Sequence, residues 1–274
     1  MAERIEGRKV LRIAGPDRVA FLQGLVTNDV RRIAQGPVYA ALLTAQGKYL
    51  ADFFLMPGGP ADPEAILLDV AEPLADGLLR RLALYRLRAD VTIEPTDLPV
   101  HRGLAPLPDA PLPDGAWPDP RDAALGWRAV GLTAMPDGPE GPEGLAADYD
   151  RARVELLVPD TGTDLVPDDS YILEFGFERL HGVDFRKGCY VGQEVTARMK
   201  HKAELRRGLF AVALDGQADP GARIETADGK EAGRLGTVAG DRGLALLRID
   251  RAGGALSAGG AGIRVMAAPS PAQG

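Results

Sequence analysis

Proline sets the first limit on how this chain folds. Residues 95–120 are rich in it, and Met135-Pro136-Asp137-Gly138-Pro139-Glu140-Gly141-Pro142 follows shortly after. Each proline fixes φ and removes a backbone donor, so these stretches read as loops or linkers and not as sheet interiors. They divide the chain into three textures. Ahead of them, short apolar runs mix with helical periodicity. Behind them lies a second helical region, and past His201 come short strand-like runs separated by glycine turns. A chain of 274 residues is long for one core and suits two or three domains.

In the first texture, residues 9–13 read as a strand, and Asp17 is placed to cap a helix carrying Val19, Leu22, Leu25 and Val26. Residues 38–43 and 50–56 read as strands joined in a hairpin across Gln46-Gly47-Lys48, and 65–70 as another strand. Leu74, Leu78, Leu82 and Tyr85 mark one face of a helix, with a strand over 89–93 behind it. Hairpins mixed with helices predict an α+β class. Further on, 127–132 reads as a strand, and helices are predicted over 145–157 and 170–180. Runs at 209–214, 234–238, 244–249 and 263–266, with turns such as Asp228-Gly229-Lys230 between them, predict a small β-barrel or sandwich.

The formal net charge of −7 argues against sequence-independent nucleic-acid binding, which rests on neutralising phosphates. No apolar run approaches the roughly 20 residues of a membrane-crossing helix. The start, Met1-Ala2-Glu3-Arg4-Ile5-Glu6, lacks the apolar core of a secretory signal, so a cytoplasmic location is expected. Cys189 is the sole cysteine, which rules out an intrachain disulfide and a Cys-only metal cage. With three dispersed histidines besides, no metal site of the chain's own is expected.

Chemistry concentrates at Lys187-Gly188-Cys189-Tyr190-Val191-Gly192-Gln193-Glu194. Arg186 and Lys187 precede the thiol, and a helix starting near Gly192 brings backbone N–H groups close to it. Both features favour the thiolate, the reactive form. Gly188 and Gly192 permit tight turns. A phenol, an amide and a carboxylate lie within five residues of the cysteine, against the bland alternative of a small apolar core filler.

This stretch resembles the signature of the YgfZ family, Lys-Gly-Cys-Tyr-x-Gly-Gln-Glu, with every fixed position present. Arg153-Val154-Glu155, Val158-Pro159, Asp164-Leu165-Val166-Pro167 and Leu173-Glu174 resemble the segment ahead of that signature. Phe21-Leu22-Gln23-Gly24-Leu25-Val26-Thr27-Asn28-Asp29-Val30 resembles the family's amino-terminal part. The family is related in fold to the glycine-cleavage T-protein. The resemblance implies two partly interleaved α+β domains around a central channel and a carboxy-terminal β-barrel, with boundaries at 1–98, 99–200 and 201–274. It implies tetrahydrofolate, or a derivative, bound in the channel. It also implies support of iron–sulfur enzymes or their assembly machinery, including enzymes that modify tRNA.

A pterin offers an N–H and an amine side by side, which a carboxylate accepts as two parallel bonds. Glu155 resembles the pterin-binding glutamate of the T-protein relatives, and Glu174 is a second candidate. Asp52, Asp69 and Arg198 complete the expected folate set. Arg186, Lys187, Arg198, Lys200, Lys202, Arg206 and Arg207 form a basic cluster suited to an anionic tail or an acidic partner. The T-protein relatives carry an Asp-Asp pair where this chain reads Ala51-Asp52, and the missing acid weakens the case for acid–base chemistry at folate. Aminomethyl transfer of the glycine-cleavage type and a non-catalytic docking module are the alternatives to cluster maintenance.

Overall fold

The computed structural model describes residues 2–60, 62–104, 112–132, 142–202 and 204–268. The chain enters through β1 (Ala2–Arg4), then β2 (Arg8–Ala14), α1 (Arg18–Gln23), β3 (Val38–Leu43), β4 (Tyr49–Pro57), β5 (Ile66–Ala71), α2 (Glu72–Arg86) and β6 (Thr92–Thr96). Strands β3-β4-β5-β2-β6 form one antiparallel sheet in that order. Alternation along each strand gives it two apolar faces. Leu11, Ala40, Phe53 and Leu68 face one way and pack with Leu78 and Leu82 of α2. Val10, Tyr39, Phe54 and Leu67 face the other way, toward Tyr149, Ile172, Phe175 and Phe177 of the middle of the chain. This sheet is therefore a buried layer between two covers, which explains why all six residues of β3 are buried.

The second sheet has the order β1-β7-β9-β8, with β7 (Val100–Gly103), β8 (Trp117–Pro118) and β9 (Trp127–Val130). The first strand of the chain thus belongs to the second sheet, and the two α+β units interleave. Reading 95–120 as loop requires correction here. Val100–Gly103 is an interior strand, because the prolines flank it and leave its own N–H groups free to pair. Pro95 and Pro118 sit on edge strands β6 and β8, where a lost donor costs no ladder bond.

Next come α3 (Pro142–Glu155) and α4 (Gln193–Lys202). The helix expected over 170–180 is only a short 3-10 turn, Ile172–Phe175, closed by Gly176 in the left-handed region at φ +75°. Finally β10 (Arg207–Asp215), β11 (Arg223–Thr226), β12 (Glu231–Ala239), β13 (Arg242–Arg248), β14 (Leu256–Ala258) and β15 (Ala261–Ala267) close into a barrel. Phe210, Val212, Ile224, Ala245 and Leu247 fill its interior, while Leu209, Ala211 and Leu244 face outward into the main core. The α+β class and the terminal barrel follow the two periodicities of the sequence.

Candidate functional site

Cys189 is exposed on a loop that is tied down on both sides. On the near side, the buried ammonium of Lys187 donates to the carbonyl oxygens of Gln23 and Val26, each at 2.6 Å. Gln23 Nε2 donates back to Lys187 O at 3.3 Å, so the loop is clamped to the end of α1. On the far side, Tyr190 is buried and its ring lies 5.1 Å from the Lys187 ammonium. Burial pushes its phenol up to about 12, with the Thr196 hydroxyl opposing. Gly192, at φ +84°, lies against the β3–β4 hairpin so closely that a Cβ would stand 2.5 Å from Thr44 O. No side chain is accommodated there. Gln193 opens α4, and Glu194 accepts from Arg198 on the exposed face of that helix at 2.8 Å.

One expectation about this loop needs correction, although α4 begins at Gln193, beside Gly192 as expected and four positions after Cys189. The basic cluster is not one free patch. Lys187 points inward, Arg198 pairs with Glu194, Lys200 with Glu178 at 2.6 Å, and Arg207 with Glu174 at 2.9 Å. The side chain of Lys202 lies outside the described residues.

A second constellation lies between the two sheets, and it is closed. Asp52 accepts from Tyr39 Oη at 2.9 Å, Tyr49 Oη at 2.7 Å and Thr161 Oγ1 at 2.5 Å. Burial, and then the Asp52 charge, push both phenols well above their ordinary range, so they remain donors. Asp69 is fully buried and accepts from Arg8 Nε on one oxygen and from Arg128 Nη1 on the other, both at 2.7 Å. Asp119 holds Arg121 through two bonds of 2.8 and 3.0 Å, and Arg121 also donates to Tyr149 Oη at 2.7 Å. The guanidinium groups of Arg128 and Arg121 lie 4.0 and 4.8 Å from the Phe54 ring centre. Ala51 packs on the opposite face of β4, in the helix-covered core. Its lack of a carboxylate therefore takes nothing from this network.

The expected folate residues do not come together. Asp52 and Asp69 share the buried network, with their oxygens engaged. Glu155 ends α3 at the surface and accepts from Arg242 of the barrel at 2.6 Å, with its side chain 52% exposed. Arg198 is on the outer face of α4. Glu174 is buried, but both its oxygens accept from Arg207. One hollow, about 300 Å³, is lined by Tyr39 and Asp119 of the network together with Trp117 and His181. It has aromatic walls, but its one carboxylate is already spent on Arg121. Arg8, Arg121, Arg128, Tyr39 and Tyr49 went unnoticed in the sequence. The available signal was a charge at core-facing parity inside an apolar strand, as in Leu50-Ala51-Asp52-Phe53 and Leu67-Leu68-Asp69-Val70.

These features can be set beside known proteins. The fold matches the crystal structure of glycine cleavage system aminomethyltransferase T from Bartonella henselae with a TM-score of 0.73, covering 98% of this chain and 85% of that one. At 14% identity the likeness is one of fold alone. Residues 206–271 match the family model described as CAF17, C-terminal beta-barrel domain. The class is thus a T-protein-type α+β body carrying a CAF17-type barrel. Within that class, the chain is 36% identical over 285 residues to the Homo sapiens protein named iron-sulfur cluster assembly factor IBA57, mitochondrial. It is 34% identical over 289 residues to the Mus musculus protein of the same name, and in each case 92% of this chain and 79% of the relative are covered. The chain belongs to the IBA57 family of iron–sulfur cluster assembly factors. The family resemblance read from the Cys189 motif agrees with this on fold. The cytoplasmic expectation is overturned, because these relatives are named as mitochondrial. Lack of an apolar secretory core excludes only one kind of address, since organellar leaders are amphipathic and arginine-rich.

Proposed function

We propose that this protein serves iron–sulfur cluster assembly by presenting the Cys189 thiol to a partner that completes the ligand set. One observation carries the proposal. The chain's only thiol stands exposed on a loop held by the bonded, buried ammonium of Lys187 on one side and by the buried Tyr190 ring and the tightly packed Gly192 on the other. A cluster usually takes four protein ligands. A single thiolate supplies one, so the others come from an assembly protein, a client or a small thiol. The names of the relatives point the same way. Lys187, Gly188, Tyr190 and Gly192 hold the loop, Gln193 and Glu194 begin the helix behind it, and Cys189 alone meets the cargo.

Tetrahydrofolate does not fit the residues expected to hold it. The paired N–H and amine of a pterin suit a carboxylate with free oxygens on a cavity wall, whereas Asp52 accepts three hydrogen bonds, Asp69 holds two arginines, and Glu155 and Arg198 are paired at the surface. No step is therefore routed through folate, and aminomethyl transfer has no support beyond the shared fold.

The test is anaerobic reconstitution with ferric iron, sulfide and glutathione. The wild-type chain is expected to develop the visible absorption of a thiolate-bound cluster, and Cys189→Ala is not. Equal absorption from both proteins, or none from the wild type with any thiol donor, would overturn the proposal.

A further inference from the structure

One cavity has no part in either constellation. It measures about 470 Å³ and lies on the outer wall of the barrel, where β10, β12 and β13 meet the chain at Asp169 and Ser170. Arg207, Arg234, Arg248 and Arg251 line it, against the two acids Asp169 and Glu231, and Leu246 is its only large apolar side chain. In a chain with net charge −7, four arginines around one hollow are not an average property of the surface.

Strand register explains how they converge. Arg207 stands directly opposite Arg248 across β10 and β13, and Arg234 is opposite Leu246 across β12 and β13. All three share the outward face of the barrel. Like charges placed directly opposite on a sheet repel, and the protein offsets only part of this. Arg207 is held by Glu174, and Arg248 by Asp250 through bonds of 3.1 and 2.9 Å. Arg234 and Arg251 have no carboxylate oxygen within 4 Å among the described residues. Their side chains donate to the backbone oxygens of Asp164 and Glu231.

We infer that this hollow binds a small polyanion, a molecule carrying two or more carboxylate or phosphate groups. Planar guanidinium forks match the paired oxygens of both groups. The volume lies within the usual range for small-ligand sites. Leu246 apart, charged and small side chains wall the hollow and give a neutral, greasy ligand little to grip. Such a ligand would neutralise the two arginines that lack an acid and tie the barrel to the loop at Asp169 and Ser170. The site is independent of Cys189.

Calorimetric titration of the full chain with inorganic pyrophosphate and, separately, with citrate tests this at ionic strength held constant by sodium chloride. The wild type is expected to bind at least one of the two saturably, one per chain, and the tighter probe identifies phosphate or carboxylate as the recognised group. Arg234→Gln and Arg251→Gln break no ion pair, and each should weaken binding by about tenfold, the loss expected for a charge-assisted hydrogen bond. Melting temperatures measured without ligand check that the variants fold, and Arg248→Gln repeats the test at a third wall of the hollow. Absence of saturable binding of either probe to the wild type overturns the inference. So does undiminished binding by the double variant Arg234→Gln/Arg251→Gln.

Discussion

The ionic network between the sheets and the loop around Cys189 use polar residues in opposite ways. In the network every carboxylate is spent on a partner of its own chain: Asp52 on two phenols and a hydroxyl, Asp69 on two arginines, Asp119 on a third. Among these groups only Arg128 Nε is left without a partner. In the loop, Lys187 turns inward to bond the backbone and Tyr190 to pack, and the one soft nucleophile is left outside. The difference teaches that the acid-bearing strand of a T-protein-type body can be devoted to stability, while the thiol proposed to do the chemistry lies at the surface, where another molecule can reach it.

Breaking the network should show that it is structural. Asp69→Ala would strand Arg8 and Arg128 as buried, uncompensated charges. We expect a loss of about 3–5 kcal/mol in urea unfolding, the usual cost of removing one partner of a buried pair. A loss below about 1 kcal/mol would mean that water reaches those arginines and the network is open. Asp52→Ala orphans hydroxyls instead of charges, so its cost should be smaller, about 1–3 kcal/mol by the same measurement.

The loop is tested through its clamp. Burial first, only partly opposed by Asp29 and Asp184, brings Lys187 down from 10.5 to about 8. The unfolded chain then holds that proton more tightly than the folded one. Stability should therefore rise with pH across the window from about 8 to about 10.5, by linkage. The rise is expected in the wild type and absent from Lys187→Met, so the difference between their urea midpoints should change over that window and be flat below it. The smallest effect belongs to Cys189→Ala. An exposed side chain with no packing role should shift stability by no more than about 0.5 kcal/mol.

Much of the fold was legible because two periods mark it. Short apolar runs at β2, β3, β4 and β5 and the Leu78–Leu82 spacing of α2 carried their assignments in the sequence, and glycine turns marked the barrel. The strand at Val100–Gly103 was hidden because flanking prolines dominate so short a run. The site was legible only in part. The Cys189 motif stood out as a dense group of functional side chains, but the roles of its members came from distant contacts. Lys187 looked like an activating charge and is a clamp to carbonyls more than 160 positions away. Glu155 looked like a ligand residue, yet its partner is Arg242, 87 positions on, and no local pattern reports such a pairing. Sequence spacing reveals which faces are apolar. It does not reveal which charges cancel.

The most direct measurement is rescue of iron–sulfur enzyme activities in cells depleted of their own IBA57-family protein, comparing wild type with Cys189→Ala at matched abundance and melting temperature. No rescue by the alanine variant is the expected result under the proposal that the exposed sulfur meets the cargo. Full rescue would contradict it and return the function to some other surface of this fold.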